Sequence, residues 1–395
     1  MLWINFLHLY QPANIDSYNI KLALNKSYYR LLRLMEENSA LKMTWNISGC
    51  LLVRLKVEGE NDFLTRLQAL VKTGRLELTS SAAYHAFLPL LTKAEIVRQI
   101  KENEKILKDF FGVNFKPAGF FLPEMAYSSA VAKIIKSLGY KWLILDELAF
   151  AGGKKRPDFK KYYLDAASGL KIVFRDRDFS SSYPPHNLFE LLKKENKEKQ
   201  VIITATDAEL YGLRHEDPTA ELEKIVKETN LKTKTISKFI SEQEKAKLKA
   251  EKIKLISCSW ESSRQEVSSG QPFALWSGRN NKIHKLLWRL TYLALDLGEK
   301  YKKDKNYKWY RWHLVRGIAS CTFWWASAHD FSKIFGPFAW SPDGIERGLE
   351  DLIRSVRSFN SPKTKKDKLK AERYYLKIKK LIWEEHWRKH WQKSA

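Results

Sequence analysis

Two acidic residues each follow an apolar run of the kind that forms a buried strand. Glu124 comes directly after residues 119–123, and Asp207 comes directly after residues 201–206. In barrels built from alternating strands and helices, the active site lies at the carboxyl ends of the strands. Two carboxyl groups brought there from different strands can cleave a glycosidic bond, one as nucleophile or base and the other as proton donor.

Short apolar runs over about the first 260 residues predict strands, and amphipathic stretches between most of them predict helices. Seven or eight such units indicate a closed (β/α) barrel that is incomplete or distorted, with a doubly wound open sheet as the alternative. No Gly-rich phosphate fingerprint follows the first run, which weakens a dinucleotide-binding version of the open sheet. The predicted strands are residues 2–8, 43–47, 76–79, 118–122, 142–145, 172–175, 201–206 and 253–258.

Beyond about residue 270 the strand pattern fades and a helical period replaces it. We therefore divide the chain into an α/β barrel over residues 1–268 and a helical domain over residues 269–395. The predicted helices of the second part are residues 283–297, 309–328, 344–359 and 366–391.

Further polar residues are predicted at neighbouring strand ends. His8 and Gln11 follow the first strand and His85 follows the third, and their side chains can hydrogen-bond sugar hydroxyls. A loop histidine that bonds only to backbone is the alternative. Glu209 lies two residues after Asp207, so the two acids point the same way if the segment stays extended. One of them then donates the proton, while the other orients a hydroxyl or holds its partner.

Two tryptophans are predicted to meet the apolar face of a sugar ring. Trp260 follows the last predicted strand and is expected to form a stacking platform. Trp325 belongs to the cluster Phe323-Trp324-Trp325 on a predicted helix. One tryptophan of that cluster is expected to face the core and the other the cleft.

Five short motifs, in this order, resemble those of glycoside hydrolase family 57. Each motif is weak alone, but the ordered set over residues 8–330 is specific. The matches are residues 8–12 for His-x-x-Gln-Pro, 74–85 for a Gly-x-x-Glu strand with a following His, 121–124 for Trp-x-Pro-Glu, 207–212 for Asp-x-Glu-x-x-Gly and 326–330 for Ala-Ser-x-x-Asp.

The resemblance implies a retaining enzyme acting on α-glucans, as α-amylases, 4-α-glucanotransferases and branching enzymes do. It implies an incomplete (β/α)7 barrel with a helical domain that helps to close the active-site cleft. The reaction of such an enzyme requires no cofactor. Carried over by position, it makes Glu124 the nucleophile and Asp207 the general acid/base, with His8, His85 and Asp330 binding the sugar at the cleavage point.

The sequence departs from the family pattern at one motif position. Phe121 stands where the motif has Trp, which keeps an aromatic ring but loses the indole N–H. The chain is also shorter than members that carry extra domains. Hydrolysis, transfer and branching therefore all remain open.

Composition narrows the class of protein. The formal net charge is +25, much of it in Lys-rich runs. Because many of these lysines alternate with Glu at helical spacing and no nucleic-acid motif accompanies them, we favour solvated helix faces over a nucleic-acid partner. Hydrophobic residues make up 44% of the chain, which excludes a disordered protein.

No membrane or metal partner is expected. No apolar stretch reaches the length that spans a bilayer, and no signal peptide is recognised at the start. The three cysteines are far apart and form no metal motif or disulfide framework, which fits a reducing cytoplasm.

The leading hypothesis is thus an enzyme acting on an α-glucan or maltooligosaccharide. A metal-dependent deacetylase or mannosidase-type barrel is the rival enzyme class, since it needs His and Asp ligands converging on one ion. A glycan- or polyanion-binding protein without catalysis is the non-enzymatic alternative. The oligomeric state is left open.

Overall fold

A computed structural model describes residues 1–193, 200–227, 231–328 and 339–392. The chain forms two compact units. The first unit is residues 1–83 with 92–260, and the second is residues 84–91 with 261–395. The predicted domain boundary after residue 268 and the closing of a cleft by the helical domain stay predictions.

The strands in the described part of the chain all belong to the first unit. They are β1 (Leu2–Leu9), β2 (Met43–Ile47), β3 (Leu76–Thr79), β4 (Gly119–Phe120), β5 (Trp142–Asp146), β6 (Tyr163–Asp165), β7 (Lys171–Arg175), β8 (Val201–Asp207), β9 (Lys232–Thr233) and β10 (Glu251–Ile253).

Seven of these strands close into a barrel. Parallel pairing runs from β8 through β1 and β2 to β3, and from β4 through β5 to β7. A parallel bridge between Ser80 and Phe120 joins the two halves on one side. On the other side, the Asp176 amide donates to the Ile203 carbonyl oxygen over 2.6 Å. The α/β fold class, an incomplete (β/α)7 barrel, is confirmed.

Alternate residues of the strands fill the barrel. Ile4 and Phe6 of β1, Ile144 of β5, and Ile203 and Ala205 of β8 belong to one buried apolar cluster. A spacing of two places such residues on one face, because successive side chains of a strand alternate between faces. Parallel strands covered by helices are buried on both faces, which is why the runs are almost continuously apolar.

Helices connect the strands and build the second unit. A π-turn over Leu24–Tyr28 separates the first two helices. The helices are α1 (Ser17–Ala23), α2 (Tyr29–Glu37), α3 (Gly49–Val57), α4 (Asn61–Lys72), α5 (Lys93–Phe111), α6 (Ser129–Ser137), α7 (Arg177–Ser180), α8 (Pro184–Leu192), α9 (Glu221–Lys227), α10 (Ile236–Lys245), α11 (Arg264–Ser268), α12 (Ala274–Ser277), α13 (Lys282–Lys300), α14 (Tyr307–Gly317), α15 (Ser320–Trp324), α16 (Pro342–Arg357) and α17 (Lys365–Gln392).

Several predicted elements are wrong in their bounds. The strand predicted over residues 118–122 is β4, Gly119–Phe120, and two further elements differ more. The strand predicted over residues 253–258 ends at Ile253, and residues 254–258 make only isolated bridges, those of Leu255 and Cys258. The helix predicted over residues 309–328 is two helices, α14 and α15. It breaks because Ala319 leaves helical geometry to pair with Ala86 in an antiparallel bridge.

The second unit is helical in its described part. Leu287 and Leu290 of α13 and Leu349 and Leu352 of α16 are fully buried between these helices. Among the described residues, none of the helices combines the length and the apolar character needed to cross a membrane.

Candidate active site

Three polar side chains at the carboxyl ends of β1, β2 and β3 form a hydrogen-bonded row. His8 lies opposite Asn46, and Asn46 lies opposite Thr79. The Asn46 amide nitrogen donates to the Thr79 hydroxyl over 3.1 Å. The Asn46 carbonyl oxygen, 2.9 Å from His8 Nδ1, is therefore the acceptor of a proton on that nitrogen. This row selects the His8 tautomer with hydrogen on Nδ1 and a lone pair on Nε2.

Burial keeps His8 neutral. The side chain is 2% exposed, and its desolvation lowers the pKa of His8 to about 4. The nearby Asp207 carboxylate and the bond to Asn46 oppose this shift without reversing it. Asp207 is the partner of His8 in the register of β8 and β1. At neutral pH, His8 therefore presents an acceptor nitrogen beside one of the two candidate acids.

Glu124 follows β4 in a tight turn over Pro123–Met125. Its φ of 59° and that of Met125, 47°, lie in the left-handed region, which costs about 1 kcal/mol or more for residues with a side chain. The Met125 main-chain N–H donates to the Leu122 carbonyl oxygen over 2.7 Å. The Trp260 main-chain N–H donates to the Glu124 carbonyl oxygen over 3.1 Å. These bonds hold the strained turn, and the turn sets the direction of the Glu124 side chain.

Aromatic rings connect Glu124 with His8. The Trp260 indole N–H donates to Glu124 Oε2 over 2.9 Å. The Trp260 ring centroid lies 5.8 Å from the Phe121 centroid and 6.0 Å from the His8 centroid. The Phe121 and His8 centroids are 4.6 Å apart. Glu124 reaches the neighbourhood of His8 through this indole, and Asp207 reaches it along β8. Each candidate acid is therefore linked to His8, Glu124 indirectly through the Trp260 ring and Asp207 through the register of β8 and β1.

The two acids at the end of β8, Asp207 and Glu209, have different surroundings. β8 ends at Asp207 and a 3-10 turn follows, so the segment does not stay extended up to Glu209. The Asp207 side chain is 27% exposed and accepts a hydrogen bond of 2.7 Å from Arg214. Glu209 is 2% exposed, and its Oε1 accepts hydrogen bonds from Gln11 Nε2, over 2.8 Å, and from the Tyr28 hydroxyl. Of the two acids, Asp207 is the one that a ligand can reach.

The π-turn between α1 and α2 supports this segment from behind. The Ser27 hydroxyl donates to the Ala208 carbonyl oxygen. Gly212 has a φ of +119°, and a Cβ at that position would lie 2.2 Å from the Lys26 carbonyl oxygen. Only glycine permits this backbone geometry and this close approach. The final Gly of the Asp-x-Glu-x-x-Gly motif is thus explained by the π-turn that packs against it.

The charges of Asp207, Glu209 and Arg214 act on one another. Burial raises the pKa of Glu209 to about 7, and the negative charge of Asp207 adds to the effect, while Arg214 and the bond from Tyr28 oppose it. The attraction of Asp207 raises the pKa of Arg214, which stays charged. Glu209 therefore changes its charge near neutral pH.

We expect Glu209→Gln to alter how stability depends on pH. The folded-state pKa of Glu209 is about 7 and its ordinary value is 4.5, so its contribution to stability is complete below the ordinary value and is lost as pH rises through about 7. Glutamine does not ionise. Between about pH 5 and pH 8, the wild-type chain should therefore lose about 2 kcal/mol more than the variant. Thermal unfolding at both pH values measures this. Glu37→Gln, at an acid that is 62% exposed, is the control, and equal losses in wild type and Glu209→Gln would contradict the expectation.

The remaining predicted residues belong to the second unit. His85 is 2% exposed, and its Nδ1 lies 2.8 Å from the Ser320 hydroxyl oxygen. Trp325 is partly exposed and packs on α16, where a Cβ at Gly344 would lie 2.4 Å from its ring. Asp330 lies outside the described residues. The roles of these residues as sugar contacts stay predictions.

The chain offers two histidines at a spacing that can hold zinc. His386 and His390 of α17 have ring centroids 6.2 Å apart, and the Trp340 indole N–H donates to His386 Nδ1 over 3.3 Å. Over the ranges that the structure describes, no three His, Cys, Asp or Glu side chains are grouped so as to hold a metal ion. That the protein needs no metal or cofactor stays a prediction.

Several residues of this site were not identified from the sequence, among them Asn46 and Thr79 of the hydrogen-bonded row. Arg175, whose guanidinium donates to the Trp260 carbonyl oxygen over 3.0 Å, is another. It ends an apolar strand, so it carries the same signal as the acids, a charged residue at a carboxyl end. Arg214 lies in the segment after β8, where its pairing with Asp207 depends on how the turn folds. Tyr28 gives no local signal, because it lies on a helical segment 181 residues before its partner Glu209.

Comparison with known families settles the relationship of the chain. The profile described as Glycosyl hydrolase family 57 matches residues 5–257, well over half of the sequence. The chain belongs to glycosyl hydrolase family 57. The matched range contains Glu124, Asp207 and the seven barrel strands apart from the first three residues of β1. The resemblance drawn from the five motifs is confirmed.

Two relatives from family 57, an alpha-amylase and a 4-alpha-glucanotransferase, match parts of the chain. "Alpha-amylase 1" of Dictyoglomus thermophilum is 25% identical over 215 residues, 52% of this chain and 31% of the relative. The 4-alpha-glucanotransferase of Thermococcus litoralis is 28% identical over 177 residues, 43% of this chain and 26% of the relative. The chain thus spans about a third or less of the length of these two relatives.

A solved structure has a similar fold over almost the whole length of this family 57 member. The crystal structure of an alpha-amylase from Thermotoga maritima superposes with a TM-score of 0.68, covering 96% of each chain at 15% identity. At this identity the likeness concerns the fold alone.

Proposed function

We propose that this family 57 member is a retaining enzyme that acts on α-glucans or maltooligosaccharides, as a hydrolase or a transglycosylase. The observation that carries the proposal is that Glu124 and Asp207, at the ends of two different barrel strands, are both linked to His8, Glu124 through the Trp260 indole and Asp207 through the register of β8 and β1. The relatives named above are an α-amylase and a 4-α-glucanotransferase. These names supply the substrate class.

In the first step, Glu124 attacks the anomeric carbon and Asp207 gives a proton to the departing glycosidic oxygen. We assign the nucleophile to Glu124 because it accepts a hydrogen bond from the Trp260 indole, a group that can only donate and therefore favours the carboxylate. We assign the proton transfer to Asp207 because Glu209, its neighbour, is buried. The product of this step is a covalent glycosyl-enzyme.

In the second step, Asp207 takes a proton from the acceptor as it attacks the glycosyl-enzyme. A water acceptor gives hydrolysis, and a sugar hydroxyl gives glucan transfer. The two inversions at the anomeric carbon retain its configuration. Double displacement requires the two carboxyl groups to lie about 5–5.5 Å apart when substrate is bound.

The polar residues around the acids have separate proposed roles. His8 Nε2 accepts a hydrogen bond from a hydroxyl of the sugar at the cleavage point, since its Nδ1 proton is held by Asn46. Gln11 and Glu209 bond to each other. We therefore propose that they support the segment that carries Asp207 and shape the sugar site beside it.

The test is incubation of the full chain with maltoheptaose, with products followed by chromatography and by proton NMR of the first-formed anomer. We expect conversion with the α-anomer formed first, because double displacement retains configuration. Shorter chains alone indicate a hydrolase, chains longer than the starting sugar indicate a 4-α-glucanotransferase, and new α-1,6 linkages indicate a branching enzyme. Formation of the β-anomer would contradict the retaining mechanism, and no turnover on any α-glucan would contradict the proposed function.

A further inference from the structure

Trp260 is placed unlike a sugar-stacking platform. Only 7% of the residue is exposed, and its ring packs in the apolar cluster of the barrel with Phe6, Phe121 and Ile144. An aromatic platform must present a ring face to the ligand. The ring of Trp260 is instead buried with the barrel core, which points to a role directed at the protein rather than at the substrate.

Both hydrogen-bond donors of Trp260 are directed at Glu124. The main-chain N–H donates to the Glu124 carbonyl oxygen over 3.1 Å, and the indole N–H donates to Oε2 over 2.9 Å. One contact fixes the strained turn and the other fixes the carboxylate at its end.

Arg175 in turn fixes Trp260. This arginine is 7% exposed, its Nη2 donates to the Trp260 carbonyl oxygen over 3.0 Å, and its guanidinium carbon lies 5.5 Å from the indole ring centroid. Its other nitrogens donate to Asp146 Oδ2 over 2.7 Å and to the Ala205 carbonyl oxygen over 3.0 Å. The guanidinium thus connects β5, β8 and the segment of Trp260 at one point, which a lysine with a single nitrogen cannot do.

We propose that Trp260 and Arg175 are positioning residues for the nucleophile, with Arg175 holding Trp260 and Trp260 holding one oxygen of Glu124 in the attacking geometry. The inference rests on the proposed function, since it assumes that Glu124 is the nucleophile. It gives Trp260 a different role from the stacking platform predicted from the sequence.

The variant that tests it is Trp260→Phe, which keeps an aromatic ring and removes the indole N–H. We expect kcat on maltoheptaose to fall by about 10–100-fold while KM stays within about twofold, because a misplaced nucleophile slows the chemical step without weakening sugar binding. The matched control is Trp142→Phe. The Trp142 indole belongs to the same core cluster and donates over 2.9 Å to Ser237 rather than to Glu124, so kcat should be unchanged in this variant.

Arg175→Lys is the second variant, and it decides the question where Trp260→Phe does not fold. We expect kcat to fall by about tenfold at constant KM. The double variant with Trp260→Phe should be no slower than Trp260→Phe alone, because the effects of substitutions at residues that act through one another are not additive. Thermal unfolding confirms that the compared variants are folded at the assay temperature.

The possible results separate the inference from the function on which it rests. A wild-type chain without glucan turnover contradicts the proposed function itself. An active wild type together with an unchanged kcat in Trp260→Phe overturns the inference. A KM that rises tenfold or more at constant kcat would make Trp260 a sugar platform and would also overturn it.

Discussion

Glu124→Gln is expected to reduce kcat on maltooligosaccharides by about ten thousandfold or more, because an amide does not form the glycosyl-enzyme. The fold should be unchanged. Glutamine has the same shape, its amide oxygen can accept the Trp260 indole N–H, and the left-handed turn is held by backbone bonds that do not involve the side chain. Initial rates on maltoheptaose, together with thermal unfolding, measure both effects.

The matched control for this change is Glu37→Gln. Glu37 lies on α2, is 62% exposed and has its ion-pair partner Arg33 at 3.9 Å, so its replacement should leave kcat and stability nearly unchanged. Full activity in Glu124→Gln would remove Glu124 from the mechanism. A parallel loss in Glu37→Gln would show that the assay reports something other than nucleophilic attack.

Asp207→Asn is expected to reduce kcat/KM on maltooligosaccharides by about a thousandfold, because the departing oxygen then receives no proton. The loss should be much smaller on nitrophenyl maltosides, whose leaving group departs without protonation. With such substrates the second step becomes limiting, since no base activates water. Added azide, which needs no base, should then restore turnover and give an α-glycosyl azide.

Glu209→Gln is the comparison that makes this result specific. Glu209 lies two residues from Asp207 and has a pKa raised to about 7, as a general acid requires, but it is 2% exposed. We therefore expect a smaller loss in Glu209→Gln, with no dependence on the leaving group and no rescue by azide. Azide rescue of Glu209→Gln and not of Asp207→Asn would exchange the two assignments.

The sequence predicts the framework of this site well because its signals are local. Apolar runs mark β1 and β8, and a polar residue at the end of each run marks the barrel mouth, which locates His8 and Asp207. Glu124 follows the same rule, although β4 is only Gly119–Phe120, because Pro123 and the left-handed turn end the strand early.

The partners of these residues could not be predicted, because they depend on tertiary packing. Trp260 lies 136 residues from Glu124 in sequence, and Tyr28 lies 181 residues from Glu209. Hydrophobic periodicity indicates which side of an element is buried, but not which atoms meet there. For the same reason, the sequence places Trp260 correctly after the last strand region and gives no sign that its ring faces the core.

The most direct test of the nucleophile is to trap it. A maltosyl fluoride that carries fluorine at C5 of the reacting ring forms the glycosyl-enzyme quickly and releases it slowly, so a tryptic digest of the inactivated chain can be searched for the added mass. We expect the label on Glu124, in the peptide of residues 109–133. A label in the peptide of residues 200–214, which contains Asp207 and Glu209, would contradict the assignment of Glu124 as the residue that bonds to the sugar.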